Sequence, residues 1–138
     1  HRRTRAGSAI RHLTVFMPRR ILIVDDEANI ALSLEFLLRN AGYEVALAAD
    51  GTQALACAAS FAPDLVVLDV MLPVIDGLEV CRRLRRAPAH AAAKILFLTA
   101  RGRAHADEHV LEAGADACMT KPFATQELLA RVRDLLGD

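Results

Sequence analysis

A chain of 138 residues that is 54% hydrophobic and 25% charged can bury a substantial core in one domain, which excludes a disordered protein. No apolar run approaches the roughly 20 residues that span a bilayer, so no membrane helix is expected. The formal net charge is zero, but six of the 17 basic residues (Arg2, Arg3, Arg5, Arg11, Arg19 and Arg20) fall in the first 20 positions, where there is no acid. The remainder then carries 11 basic against 17 acidic residues, a balance that disfavours electrostatic binding of nucleic acid by the body of the protein.

In chain order, the basic segment "HRRTRAGSAIRHLTVF" precedes an internal Met17 and has no clear period. Its apolar part is too short and broken for a signal peptide. Residues 1–18 are therefore placed outside the fold, as a basic arm, an upstream start or an expression remnant, and 19–138 as the domain. From residue 20 strands and helices alternate. "RILIVDDE" reads as a strand ending in acids, and "NIALSLEFLLRNAG" as a helix with Ile30, Leu34, Leu37 and Leu38 on one face, stopped by Gly42. "YEVALA" is a second strand, "GTQALACAASF" a helix with Ala54, Leu55, Ala58 and Phe61 inward, and "DLVVLD" a third strand. "GLEVCRRLRR" is a helix ended near Pro88, "AKILFLTA" a fourth strand, and "ADEHVLEAG" a helix closing at Gly114. "ADACMTKPF" holds a fifth strand, and "TQELLARVRDLLGD" a last helix with Leu128, Val132 and Leu135 inward.

Strands that are apolar throughout indicate a sheet covered on both faces. Five such units predict an α/β fold, a doubly wound (βα)5 parallel sheet. Ligands of such sheets bind beyond the carboxyl ends of the strands. Those ends carry Asp25 and Asp26, Asp69, Thr99 and Lys121. With strand order 2-1-3-4-5 the three aspartates converge, and their repulsion calls for a cation. Oxygen donors alone suit a hard divalent ion such as Mg²⁺ or Mn²⁺. The set describes phosphoryl transfer to a carboxylate: Asp69 as nucleophile, the metal and Lys121 neutralising the transferring group, Thr99 giving one hydrogen bond. Each residue alone has a plainer reading. Asp25 and Thr99 could cap the helices that follow them, and Lys121 could lie on the surface. Four complementary groups at four strand ends favour the joint reading.

"ILIVDDE", "VVLDVMLPVIDGLEV", "ILFLTA" and "GADACMTKPF", in this order and spacing, resemble the receiver domain of two-component response regulators, over about residues 19–137. The resemblance implies a flavodoxin-like fold and a cytoplasmic signalling switch that catalyses only its own phosphoryl transfer and dephosphorylation. It implies that Asp69 accepts a phosphoryl group from the phosphohistidine of a sensor histidine kinase or phosphotransfer protein, or from small donors such as acetyl phosphate. Asp26 is expected as a direct metal ligand, Asp25 largely through water, and the Met71 carbonyl as a further ligand beside Asp69. Thr99 and Lys121 are expected on the phosphoryl oxygens, and the Lys121–Pro122 bond is expected cis. Pro73 and Gly77 fit the loop after the acceptor, Gly77 where backbone freedom is needed. Phosphorylation is expected to bias the face made by the fourth helix, fifth strand and fifth helix, which would address an output domain or downstream protein.

The chain departs from the family pattern at informative places. The usual aromatic residue three before the lysine is Cys118, so an aromatic toggle cannot operate there. The second acid of the common "GADD" is Ala117, which removes a salt-bridge partner of the dimers that winged-helix regulators form. Ala124 stands at the usual Ser/Thr cap after "KPF", with Thr125 as its substitute. Switch and turn roles fall to Cys118, Pro122, Ala100 and Arg101, the last at a position that tunes phosphoryl lifetime in the family. Arg82, Arg83, Arg85 and Arg86 read as a solvated helix face, with no groove-reading element beside them. Cys57, Cys81 and Cys118 read as buried hydrophobes of a reducing compartment. The five histidines lack ligand spacing except His105 and His109, read as exposed helix residues. The alternatives are a pseudo-receiver, an interaction module that would lack one of the five site residues, and a haloacid-dehalogenase-like phosphohydrolase, which would need an acid where Met71 stands. The last expected helix reaches the chain's final residues, so no output element is expected within these 138 positions.

Overall fold

The computed structural model describes residues 17–100 and 111–138. Five parallel strands, β1 (Arg20–Val24), β2 (Glu44–Ala48), β3 (Leu65–Asp69), β4 (Lys94–Ala100) and β5 (Ala117–Lys121), form one sheet in the order β2-β1-β3-β4-β5. The helices are α1 (Ala28–Asn40), α2 (Gly51–Phe61), α3 (Gly77–Arg86), the helical residues 111–113 (α4) and α5 (Thr125–Leu136), with a short 3₁₀ turn at Pro88–His90. Among the described residues no helix is long and apolar enough to cross a membrane.

The unbroken apolar strands are explained by burial on both faces. Successive side chains point to opposite sides, so Leu22, Val24, Val66, Leu68, Ile95 and Phe97 pack with Ala54 and Ala58 of α2 and Val80, Cys81 and Leu84 of α3. Ile21, Ile23, Leu65, Val67, Leu96 and Leu98 pack with Ala31, Leu34 and Leu38 of α1 and Leu128, Val132 and Leu136 of α5. Leu136 completes the i, i+4, i+8 stripe of α5, while Leu135, expected inward, is only partly buried at its margin.

Helix starts follow local chemistry. Asp50 accepts the Gln53 amide at 2.8 Å and Asp76 the Glu79 amide at 2.9 Å, so α2 and α3 each have a side-chain N-cap. At α5 the N-cap is Ala124, which has no side-chain oxygen, and Thr125 is already the first helical residue, so it does not substitute as cap. Ala124→Ser is accordingly expected to stabilise the fold by about 1 kcal/mol, because serine with Glu127 three residues on would complete a capping box. Urea unfolding of the two proteins measures it; an unchanged midpoint would show that water already satisfies this helix end.

The α3 arginines are not a uniformly solvated face. Arg82, Arg83 and Arg86 share Glu79. Arg85 turns inward, donating to the Gly114 carbonyl at 2.8 Å and to Asp116 at 2.7 Å, and also to the Ala91 and Ala93 carbonyls. Asp116 in turn accepts the Ile95 amide at 2.8 Å. One guanidinium thereby joins α3 to the entries of β4 and β5. Arg has the rigid planar fork this requires, but its residue type alone does not distinguish it from its exposed neighbours.

Candidate functional site

Parallel register sets the site. Val24 of β1 pairs with Leu68 of β3, so Asp25 and Asp69, each one residue further on, stand level on adjacent strands. Asp69 itself pairs with Leu98 of β4, placing Thr99 one step beyond, and Ala100 pairs with Lys121 at the end of β5. Asp25, Asp69 and Thr99 are 3%, 5% and 2% exposed. They are the only buried polar or charged side chains among the described residues, and all three lie at the carboxyl edge of the sheet. Burying two carboxylates side by side is costly unless a cation and hydrogen bonds offset their charge.

Both offsets are present. Lys121 Nζ donates to Asp25 Oδ2 at 3.0 Å, Asp69 Oδ2 at 3.3 Å and Glu27 Oε1 at 3.4 Å. The other oxygen of each aspartate holds local backbone: Asp25 Oδ1 accepts the Glu27 amide at 2.9 Å, and Asp69 Oδ1 the Met71 amide at 3.0 Å. The plainer reading of Asp25 as the cap of the next helix does not hold: the N-cap of α1 is Glu27, whose amide one Asp25 oxygen accepts while the other faces the lysine.

Burial pushes the Asp69 carboxyl above the ordinary carboxylate range, and the neighbouring Asp25 charge acts the same way; the Met71 amide and Lys121 oppose them. For Lys121 burial disfavours the charge, but the hydrogen bond to Asp25 and the charges of Asp69 and Asp25 outweigh it and raise the ammonium above its usual value. At Asp69 burial thus outweighs the Met71 amide and Lys121, while the acids around Lys121 outweigh its burial and favour its charged form.

The loop from Val70 to Asp76 is drawn tightly onto this edge. The Gly77 amide donates to the Val70 carbonyl at 2.9 Å, and a Cβ at Gly77 would lie 2.2 Å from the Asp69 carbonyl oxygen and 2.9 Å from Val70 Cα. Gly77 is therefore required by close approach of two backbone segments and not by a left-handed φ, which corrects the expectation of conformational freedom there.

The residues expected from the sequence divide as follows. Asp25, Asp69 and Lys121 come together with direct contacts, and Thr99 is buried at the same edge. Asp26 is exposed beside them. Met71 is exposed, with its amide on Asp69. Cys118 is half-buried on β5, in register with Phe97 and packed against the α2–α3 side of the core. Ala100 and Pro122 are exposed, and the Lys121–Pro122 bond is cis. Arg101, His105 and His109, like residues 1–16, lie outside the described residues.

Glu27 was not singled out by sequence reasoning. Asp25, Glu27 and Asp69 each offer an oxygen within 4.8 Å of the others, a group able to hold a metal ion. Three hard oxygen donors fit a divalent cation such as Mg²⁺. The available signal was the spacing in "VDDE": Glu27 follows Asp25 by two, and the chain turns into α1 between them.

Comparison with known proteins gives one consistent result. The model of the response regulator receiver domain matches residues 21–133. Response regulator MprA of Mycolicibacterium vanbaalenii is 52% identical over 120 residues, which cover 87% of this chain and 51% of that protein. The chain thus spans about half the length of the curated relatives it matches. The chemotaxis response regulator CheY4 of Vibrio cholerae shares the fold with a TM-score of 0.82 at 32% identity, covering 87% of this chain and 100% of that one. The receiver domain of a sensor histidine kinase from Pseudomonas aeruginosa, whose structure has a magnesium ion coordinated in its active-site cleft, gives 0.81 at 33% identity, over 88% and 100% of the two chains.

Proposed function

The chain belongs to the response regulator receiver family, and from that premise we propose that residues 19–138 form a phosphoacceptor receiver, outside which residues 1–18 lie, with Asp69 as the acceptor. The observation that carries this reading is the pair of buried carboxylates, Asp25 and Asp69, held at adjacent strand ends by one lysine. In the proposed reaction an Asp69 oxygen attacks the phosphorus of a phosphohistidine on a sensor histidine kinase or phosphotransfer protein. The P–N bond breaks as the P–O bond forms, and the imidazole leaves. Lys121 turns from Asp69 to the phosphoryl oxygens, Thr99 donates its hydroxyl to another, and both roles are electrostatic. Asp25, Asp26, Asp69 and the Met71 carbonyl would hold Mg²⁺ or Mn²⁺, whose bound charge neutralises the transferring group. The domain is a signalling device that processes only its own phosphoryl group, it works in the cytoplasm, and the face of α4, β5 and α5 carries the state to an output domain or a downstream protein. Direct nucleic-acid contact by this domain is not part of the reading.

Incubation with acetyl phosphate and Mg²⁺, read by intact mass, is expected to add one phosphoryl group. The gain should vanish with EDTA and in Asp69→Asn. No gain from acetyl phosphate or from any phosphorylated histidine kinase would replace this reading with that of an interaction module on the same fold.

A further inference from the structure

The acids around Lys121 differ in depth. The side chains of Asp25 and Asp69 are 1% and 7% exposed, whereas that of Glu27 is 61% exposed, although its Oε1 reaches the same ammonium at 3.4 Å. Glu27 therefore stands at the mouth of the site, between solvent and the acceptor. Its backbone is engaged independently of its carboxylate. The amide donates to Asp25 and the carbonyl accepts the Ala31 amide at the start of α1. The carboxylate is thus an addition to the local fold and not a requirement of it.

We propose that Glu27 is a specificity-determining residue that selects against free dianionic phosphodonors. The inference rests on the receiver reading above. A donor such as acetyl phosphate must bring two negative charges past the mouth before it reaches Asp69. A carboxylate drawn there by Lys121 lowers its local concentration, as fields focused in a cleft govern the encounter of small ions. Glu27 also accepts from Lys121, the cation that the incoming phosphoryl group requires. Both effects have the same sign, so removing the charge quickens phosphorylation by small anions. A phosphohistidine presented by a docked protein is positioned by contacts elsewhere and depends less on the field at the mouth.

The test compares the full chain with Glu27→Gln and Glu27→Asp, each at a Mg²⁺ level shown to be saturating by direct binding titration. Phosphorylation rates are read by intact mass with acetyl phosphate, a dianion, and phosphoramidate, a monoanion. With acetyl phosphate at low ionic strength, Glu27→Gln is expected to react about three- to tenfold faster than the natural chain. The ratio should be smaller with phosphoramidate and approach one in high salt, where the Debye length shrinks to about 3 Å. Glu27→Asp keeps the charge, so whatever its absolute rate, its dependence on salt and on donor charge should match that of the natural chain. Equal rates for Glu27→Gln and the natural chain at low salt would overturn the proposal. So would an acceleration independent of salt and donor charge, which would mark a structural effect. If neither protein took up phosphoryl from either donor or from a histidine-kinase donor, the receiver reading itself would fall and this inference with it.

Discussion

Lys121→Met is expected to lower the stability of the metal-free protein by about 3 kcal/mol at neutral pH. Lys121 is the cation that Asp25, Asp69 and Glu27 share, and two of those acids are buried. Truncating one partner of a buried ion pair leaves the other's charge uncompensated, which costs about 3–5 kcal/mol; the lower end applies because Glu27 and the lysine itself reach solvent. The ammonium is raised above its usual value, so its contribution is complete below the ordinary lysine range and is lost only as pH rises through the folded value. Between neutrality and mild acid the lysine stays charged, and any change in the deficit comes from the carboxylates. Methionine leaves them free to take up protons, so the deficit should shrink as the pH falls. Mg²⁺ should recover more stability in the variant than in the natural chain, since binding to the folded state alone stabilises it by mass action. Urea unfolding with EDTA and with Mg²⁺ measures both effects. A deficit under about 1 kcal/mol in EDTA would mean that water, not Lys121, offsets the buried acids.

Asp69→Asn, which is expected to remove phosphoryl uptake completely, should also make the metal-free protein more stable at neutral pH, by about 0.5–2 kcal/mol. Burial raises the Asp69 carboxyl, so the folded state binds its proton more tightly than the unfolded state does. Stability from this group is present at low pH and declines as pH rises from the unfolded carboxylate value through the folded one. At neutrality the full cost of an ionised buried carboxylate is therefore in force. Asparagine matches the neutral form in shape and can still accept the Met71 amide. The gain should shrink as the pH falls through the folded value of Asp69 and close below the ordinary aspartate value, and denaturant melts at about pH 7 and about pH 3 compare the two regimes. A variant that is less stable than the natural chain at neutral pH would show that the attraction between Asp69 and Lys121 exceeds the burial cost.

These two variants separate what the acid cluster does for chemistry from what it does to the fold. The sheet buries one acid at the end of β3 and another beside β1, and the lysine of β5 offsets part of the cost. A destabilising charge at Asp69 fits the proposed role, in which the site takes up a cation and then a phosphoryl group.

The residues themselves determined much of this. Five runs of strand length alternate with helical periods, and those of β1, β3 and β4 have no polar face to turn outward, which calls for a parallel sheet covered on both sides, with β2 and β5 as its partly exposed edges. Asp25, Asp69, Thr99 and Lys121 were legible because they interrupt those runs at the same end, where side chains leave the core. What only the tertiary structure decided depends on contacts between segments distant in sequence. Arg85 became a clamp because Gly114 and Asp116 lie across from it, and Gly77 is held by the Asp69 backbone and not by its own φ. Leu136 takes the place expected of Leu135 because the packed face of α5 follows its contact with the sheet. Glu27 shares the lysine 94 positions away because strand register brings β5 level with the entry to α1. Local pattern encodes which side chains leave the core, whereas register and helix rotation, set by the packing of the whole sheet, decide which of them meet.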